Sequence, residues 1–187
     1  DLGRQRQVWL QRGDAMPERA SNLLDGDAQP DWSPDGHWLA FRSAHGGGGI
    51  DVVPVGGGDA RRVASFGFRP KWSPDGTLVL FSESDGRIHA TSKYFVVGLD
   101  GLPPREVRPD VLANVRSARL AWYPRDNRIS VWRNVPGSLP EFLTISLDGT
   151  DVTRSEFSPE VQARLADRSL SLRSFAWAHS GQWLAFE

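Results

Sequence analysis

The chain contains no cysteine, which excludes disulfide frameworks, thiolate zinc sites and cysteine nucleophiles. Only two of its 22 basic residues are lysines, Lys71 and Lys93, and the formal net charge is −1. That balance gives no electrostatic footprint for nucleic acid, so we expect this domain to bind none. No apolar run approaches the roughly 18 residues that span a bilayer, so we expect no membrane insertion by this chain.

The common catalytic motifs are also missing from the sequence. It has no G-x-S-x-G nucleophile elbow, no H-E-x-x-H pair and no P-loop. The run His45-Gly46-Gly47-Gly48-Gly49 resembles an oxyanion-hole segment, but without a nucleophilic serine it is better interpreted as a hairpin loop. The four histidines are widely spaced. We therefore predict no catalytic residue, no metal site and no cofactor in this chain.

One short motif recurs along the chain. Residues 30–41 read PDWSPDGHWLAF and residues 70–81 read PKWSPDGTLVLF, with weaker copies at 120–132 (LAWYPRDNRISVW) and 175–186 (FAWAHSGQWLAF). The four copies are anchored by Trp32, Trp72, Trp122 and Trp177. Periods of about 40 to 55 residues suit a propeller blade of four strands.

The residues after each anchoring tryptophan predict a turn and then a buried strand. In Ser33-Pro34-Asp35-Gly36, proline favours the first turn position and glycine a left-handed one. In the third copy we expect a turn one residue longer, with Asn127 at positive φ. Three of the four segments that follow, such as Trp38-Leu39-Ala40-Phe41, are apolar at every position, so both faces of these strands must be covered.

The repeat predicts an all-β chain, a β-propeller of four-stranded antiparallel blades, with about four blades' worth of strands. We expect a single domain over residues 1–187: a half blade (strands C and D) at 1–26, blades at 27–66, 67–110 and 111–155, and at 156–187 a linker with a short helix near 159–167 followed by a half blade (strands A and B). We expect an arc of a larger propeller; the alternative is a small ring closed by the two half blades. Open strand edges would allow self-association.

The loops that lead into the innermost strands are the best candidate for a ligand site. Successive copies place equivalent side chains near the propeller axis, at the channel rim. The candidate ligand-binding residues are Gln29, Arg69, Arg119 and Ser174, three residues before each anchoring tryptophan, with Arg116 and Arg173 nearby. Arginines there would suit an anionic group or an acidic peptide, and the alternative is ordinary solvated loop arginines. The tryptophans are expected to pack between blades, Trp183 included.

The W-S-P-D-G pattern, followed by a strand such as HWLAF, resembles the TolB-like, WD-like β-propeller repeat family of bacteria. The blade ends at 96–105 and 174–177 also resemble arrays that follow CadC-type winged-helix regulators and some bacterial serine/threonine kinases. The resemblance implies a binding or sensing propeller for a protein or small ligand, in a bacterial membrane-anchored regulator and in a periplasmic or other extracytoplasmic location, although a cytoplasmic one stays open.

Two other functions are open at this point. One is a substrate-gating propeller of a prolyl-oligopeptidase-like serine hydrolase whose catalytic domain lies outside this chain. The other is a free periplasmic TolB-like scaffold. The sequences on either side of the chain would distinguish the three hypotheses.

Overall fold

The computed structural model describes residues 7–20, 26–85, 93–113, 115, 117–166 and 175–186. Within them, the strands are β1 (Trp9–Leu10), β2 (Glu18–Arg19), β3 (Ala28–Trp32), β4 (Trp38–Ser43), β5 (Gly49–Pro54), β6 (Arg61–Ala64), β7 (Phe68–Trp72), β8 (Leu78–Ser82), β9 (Tyr94–Gly98), β10 (Arg105–Glu106), β11 (Ser117–Trp122), β12 (Ile129–Asn134), β13 (Glu141–Ile145), β14 (Val152–Ser155), β15 (Phe175–Trp177) and β16 (Leu184–Phe186). Helices α1 and α2 span Pro109–Leu112 and Pro159–Ala166. Neither helix is long or apolar enough to cross a bilayer.

The strands form three four-stranded sheets and two strand pairs in the described part of the chain. Each complete sheet follows the chain order: β3 to β6, β7 to β10 and β11 to β14, and the pairs are β1–β2 and β15–β16. Neighbouring strands within the three sheets are antiparallel wherever their register is defined. This is the half, three complete and half arrangement that the repeat predicts.

The chain divides into two compact units. One comprises residues 1–85 and 94–105, and the other comprises residues 86–93 and 106–187. The first unit therefore holds β1–β2, the sheet β3–β6 and all but the last residue of the sheet β7–β10. The second holds α1, the sheet β11–β14, α2 and the pair β15–β16.

The S-P-D-G turn is closed by its own side chains. The carboxylate of Asp35 accepts hydrogen bonds from the Ser33 hydroxyl at 2.5 Å and from the His37 amide at 3.0 Å. The same hydroxyl accepts the Trp38 amide at 2.9 Å, and Gly36 has the expected positive φ of 72°. The second copy repeats this pattern, with Gly76 also at 72°. The motif is therefore a self-satisfied turn that starts the second strand of a sheet.

The third turn differs from the prediction. Its closing hydrogen bond joins Tyr123 and Arg128, five residues apart, as in the first turn between Ser33 and Trp38. The turn is therefore not one residue longer. Asn127 also lacks the positive φ expected for it, because Asp126 takes the place of the glycine without a left-handed backbone.

The core of the first unit lies between its two four-stranded sheets. Trp72 packs there with Ile50, Val52, Val79 and Phe81, all nearly inaccessible to solvent. A second cluster joins the pair β1–β2 to the outer face of the first sheet, and it consists of Val8, Ala20, Leu39, Phe41 and Val53. Both faces of β4 are thus covered, as its uninterrupted apolar sequence requires.

Two tryptophans expected in the core are exposed. Trp32 is 51% exposed and Trp183 is 75% exposed, whereas Trp72 is 6% exposed. Trp72 has a complete sheet before it in the chain, but Trp32 is preceded by only the pair β1–β2 among the described residues. Trp183 precedes β16, which has no third strand beside it in the described residues, whereas Trp38 of the first sheet pairs with Pro54. Position in the motif therefore does not bury a tryptophan unless the neighbouring strands are present.

An aromatic cluster organises the second unit. The ring of Phe142 lies 5.9 Å from Phe157, 5.2 Å from Phe175 and 6.0 Å from Trp177. The Trp177 indole donates a hydrogen bond to the Ser130 hydroxyl at 2.8 Å, which fixes β15 against the sheet β11–β14. Edge-to-face aromatic pairs of this kind each add about 1 kcal/mol beyond their buried area.

Helix α2 begins where the sequence predicts. Ser158 precedes Pro159, and the Ser158 hydroxyl and carbonyl accept the amides of Val161 and Gln162. Serine before the helix and proline in its first turn are favourable starting residues. Helix α1 was not predicted; it forms in the long link before the third complete sheet, after Arg108 in a left-handed conformation with φ 37°.

Candidate binding surface on the first strands

The first strands of two successive sheets carry the same backbone irregularity. Gln29 in β3 and Arg69 in β7 occupy equivalent positions of the repeat, and their φ angles are 57° and 54°. Each lies where the register with the next strand shifts, between Ala28 and Asp31 and between Phe68 and Lys71. A left-handed backbone costs a residue other than glycine about 1–2 kcal/mol, so two matched examples are a maintained feature.

Proline explains these bulges. Pro30 and Pro70 follow the two left-handed residues, and proline has no amide hydrogen to donate to a strand partner. The third copy has Leu120 at the same place, and there the register of β11 is unbroken, with Arg119 opposite Trp132. The pairs Gln29-Pro30 and Arg69-Pro70 thus mark the bulges in the sequence.

The bulge in β7 supplies a link between the two sheets of the first unit. The Arg69 amide donates a 2.8 Å hydrogen bond to the side-chain oxygen of Gln29. A bulge leaves its extra residue out of the strand ladder, so this amide is available to a side chain of the preceding sheet. Two of the predicted site residues are therefore in direct contact.

Asp31 makes a second link two residues further along. Its carboxylate accepts the Lys71 ammonium group at 2.5 Å and the backbone amide of Trp72 at 2.8 Å. The side chain of Asp31 is 21% exposed, and that of Lys71 is 59% exposed. Hydrogen bonds to a carboxylate are the stronger kind, so Asp31 ties β3 to the backbone of β7.

Two arginines lie beside the Asp31–Lys71 pair. Arg69 is exposed, and its guanidinium donates to the Asp85 carbonyl oxygen at 2.8 Å, which orients it. The Arg42 guanidinium lies over the Phe68 ring at 4.5 Å, which places a further cation beside β7.

Of the other predicted site residues, the structure describes only Arg119. Arg119 lies in the second unit, where its guanidinium donates to the neighbouring Ala118 carbonyl at 3.0 Å. Arg116, Arg173 and Ser174 fall outside the described residues. Sequence reasoning missed Asp31 and Lys71, although their opposite charges at one repeat position, in P-D-W and P-K-W, were a usable signal.

Among the described residues, three carboxylates have a clearly lowered pKa: Asp110 in α1, which is hydrogen-bonded to Arg108, and two aspartates in turns. The Ser33 hydroxyl, with the His37 amide, lowers the pKa of Asp35 from 3.8 to about 2. The Ser146 hydroxyl, with the backbone and hydroxyl of Thr150, does the same for Asp148. Within the described ranges, no three His, Asp or Glu side chains are grouped to hold a metal ion.

Comparison with known proteins concerns the fold. No protein-family model and no curated protein matches the chain. Among solved structures, it is similar to TolB from Acinetobacter baumannii (18% identity, TM-score 0.63, covering 91% of this chain and 40% of that one). It is also similar to TolB from Agrobacterium tumefaciens (16%, 0.58, 80% and 56%) and to a puromycin-hydrolyzing peptidase from Mycobacterium tuberculosis (21%, 0.55, 81% and 27%).

The chain has a TolB-like β-propeller fold. Each four-stranded sheet is a propeller blade, and the predicted fold class is confirmed. The chain spans 40% and 56% of the two TolB structures that it matches. The links made by Gln29 and Asp31 therefore join the first strands of two successive blades.

Proposed function

We propose that this propeller is a non-enzymatic binding or sensing domain for a protein or small ligand, within a bacterial membrane-anchored regulator. One observation carries the proposal: Gln29 and Arg69 hold a matched left-handed backbone on successive first strands, and one binds the other. Strained backbone that the surrounding structure maintains is concentrated at functional sites. Here it fixes exposed polar side chains at the strands that line a propeller's centre.

An anionic group is the ligand chemistry that this surface favours. Arg69 is exposed, and one of its guanidinium nitrogens donates to the Asp85 carbonyl oxygen. A guanidinium held in this way suits a carboxylate or a phosphate.

Binding of a fluorescein-labelled oligoglutamate peptide tests this part of the proposal. We expect Arg69→Gln to weaken binding about fivefold at low salt, the effect of losing one exposed charge pair of about 1 kcal/mol. Arg105→Gln is the matched control, because Arg105 is exposed on the outermost strand of the same blade. Equal losses in both variants would mean that the peptide senses only the overall charge.

The regulator context rests on the resemblance of the blade ends to arrays behind winged-helix regulators and kinases. In that context the propeller lies outside the cytoplasmic membrane. Sequencing the gene on both sides of this region tests it. A DNA-binding or kinase domain and one apolar span before Asp1 are expected, and a signal peptide alone would favour a free periplasmic scaffold.

A substrate-gating role is the second candidate. Similarity to the puromycin-hydrolyzing peptidase favours it, although the chain spans only 27% of that structure. In this case the propeller filters substrates for a hydrolase domain further along the chain. A G-x-S-x-G segment after Glu187 would support this function and contradict the regulator.

A further inference from the structure

A cleft of about 580 Å³ opens beside the outermost strand of the third complete blade. Its apolar lining includes Leu139, which is 58% exposed, the partly exposed Phe157, and Phe142, which is only 2% exposed. Its polar lining includes Glu141, Arg154 and Glu156. The volume lies within the range of about 300–1,000 Å³ typical of ligand pockets.

The charged groups of the cleft are held in fixed positions. One oxygen of the Glu141 carboxylate accepts a hydrogen bond from Arg133 Nε at 2.7 Å and lies 2.6 Å from Arg133 Nη2. Its other oxygen forms an ion pair with Arg154 at 2.7 Å, although the Arg154 side chain is 64% exposed. Glu141 therefore orients the Arg154 guanidinium while Arg133 balances the carboxylate. Arg154 is preorganised to bind a second carboxylate at the cleft mouth.

The neighbouring strand has an open edge. β14 pairs with β13 on one side and ends its sheet among the described strands. Val152, Thr153 and Arg154 are all exposed. The outermost strands of the other complete blades are less suitable, because β10 has two residues and β6 is half-buried beyond Arg61. An exposed edge of this kind is a template for another strand.

The register of β14 assigns a face to each position along this edge. Ser155 pairs with Phe142, and Arg154 pairs with Leu143 on the opposite face. A strand added beside β14 would thus place the residue opposite Ser155 on the same face as the Phe142 ring. The residue opposite Arg154 would lie on the other face, and so would a residue opposite Glu156, which directly follows β14, if the alternation continues.

We propose that β14 and its cleft bind an extended segment of a partner protein, which adds to the blade as an antiparallel fifth strand. An acidic side chain of that segment lies opposite Arg154, and a basic one lies opposite Glu156. The residue between them is apolar and packs beside Ser155, towards the partly exposed Phe157. Backbone pairing supplies the affinity, and the alternating charges with one apolar anchor supply the specificity.

The charge pattern distinguishes this partner from a polyanion. Two carboxylates, Glu141 and Glu156, line the cleft with Arg154, so a nucleic acid or a uniformly acidic chain would meet repulsion. A segment with a basic, an apolar and an acidic residue in succession can pair its basic side chain with Glu156 and its acidic side chain with Arg154. Antiparallel addition is favoured because it is the slightly more stable pairing per residue.

The test uses the intact chain and a blocked, fluorescein-labelled peptide, Thr-Lys-Val-Asp-Val-Val-Thr, with fluorescence anisotropy. In the proposed register its lysine faces Glu156 and its aspartate faces Arg154. A second peptide with the lysine and aspartate exchanged should bind about tenfold more weakly, because each charge then meets its like. Equal or tighter binding of the exchanged peptide would overturn the proposed register.

Two protein variants and one modified peptide complete the test. Arg154→Gln should weaken the first peptide about tenfold, and the fold should persist because Arg133 still pairs with Glu141. Arg61→Gln, on the outermost strand β6, should leave the affinity unchanged. The peptide is also N-methylated at every second residue, in one form at the odd and in another at the even positions. One of these two forms should lose binding. If both forms still bind, strand addition is excluded.

The same assay separates this site from the first-strand surface. Arg69→Gln should leave the affinity for the lysine–aspartate peptide unchanged. If Arg69→Gln weakens binding and Arg154→Gln does not, the peptide binds at the first strands and the β14 proposal is wrong.

Discussion

Replacement of Asp31 by alanine should loosen the connection between the first two complete blades. The Asp31 carboxylate is the acceptor for both the Lys71 ammonium and the Trp72 amide, at 2.5 and 2.8 Å. Alanine removes the acceptor of both hydrogen bonds. Asparagine keeps one side-chain oxygen for the Trp72 amide but removes the charge.

The two contacts have different weights. Loss of the acceptor leaves a partly buried amide without its partner, which costs about 1–3 kcal/mol. The ion pair with Lys71 is more than half exposed on the lysine side, so it contributes only about 0.2–1 kcal/mol. We therefore expect a loss of about 2 kcal/mol for Asp31→Ala. About half of that is expected for Asp31→Asn, and about 0.5 kcal/mol for Lys71→Ala.

Hydrogen exchange at the Trp72 amide measures this directly, with urea unfolding as the global comparison. A loss of 2 kcal/mol corresponds to about thirtyfold faster exchange. The order of the three variants is the critical result. If Lys71→Ala accelerates exchange as much as Asp31→Ala, the amide contact does not carry the link and the reasoning fails.

Two further predictions concern turns. Gly67→Ala should lower the free energy of unfolding in urea by about 3 kcal/mol, because a Cβ at φ 121° would overlap a neighbouring aromatic ring. Gly101→Ala, at φ 83° in open space, should lower it by about 1 kcal/mol. Similar losses in the two variants would contradict the packing argument. Because the pKa of Asp35 is lowered to about 2, its contribution to stability is complete above about pH 4 and is lost as the pH falls to about 2. Ser33→Ala should move that pKa back towards 3.8 in a carboxyl NMR titration, with Asp148 unchanged; an unaltered Asp35 would show that the hydroxyl is not the cause.

The fold was predictable because its turns and strands depend on residues that are close together in the sequence. The serine and aspartate of each S-P-D-G turn bond to each other and to amides at most five residues away, and Gly36 adopts the left-handed backbone that its position predicts. The apolar second strands required cover on both faces, and repetition supplied it. Ser158 and Pro159 likewise predicted the start of α2 from neighbours in sequence.

The candidate site was less predictable because its contacts join distant parts of the chain. The hydrogen bond from Arg69 to Gln29 spans 40 residues and depends on bulges in two strands. The exposure of Trp32 depends on strands that precede it, not on its own motif. The cleft beside β14 combines a strand edge with the segment before α2, and no repeat position marks it.

The pairing of Asp31 with Lys71 has a consequence for how nearly identical repeats find their places. Both residues occupy the position before the anchoring tryptophan, yet Asp31 is an anion that accepts the hydrogen bond and Lys71 is a cation that donates it. A chain with two copies of the first motif in succession would set carboxylate against carboxylate, and two copies of the second would set ammonium against ammonium. The opposite charges therefore favour the first copy beside the second over either copy beside itself. Like-charge repulsion discourages a first strand from docking on the wrong neighbour while the blades assemble.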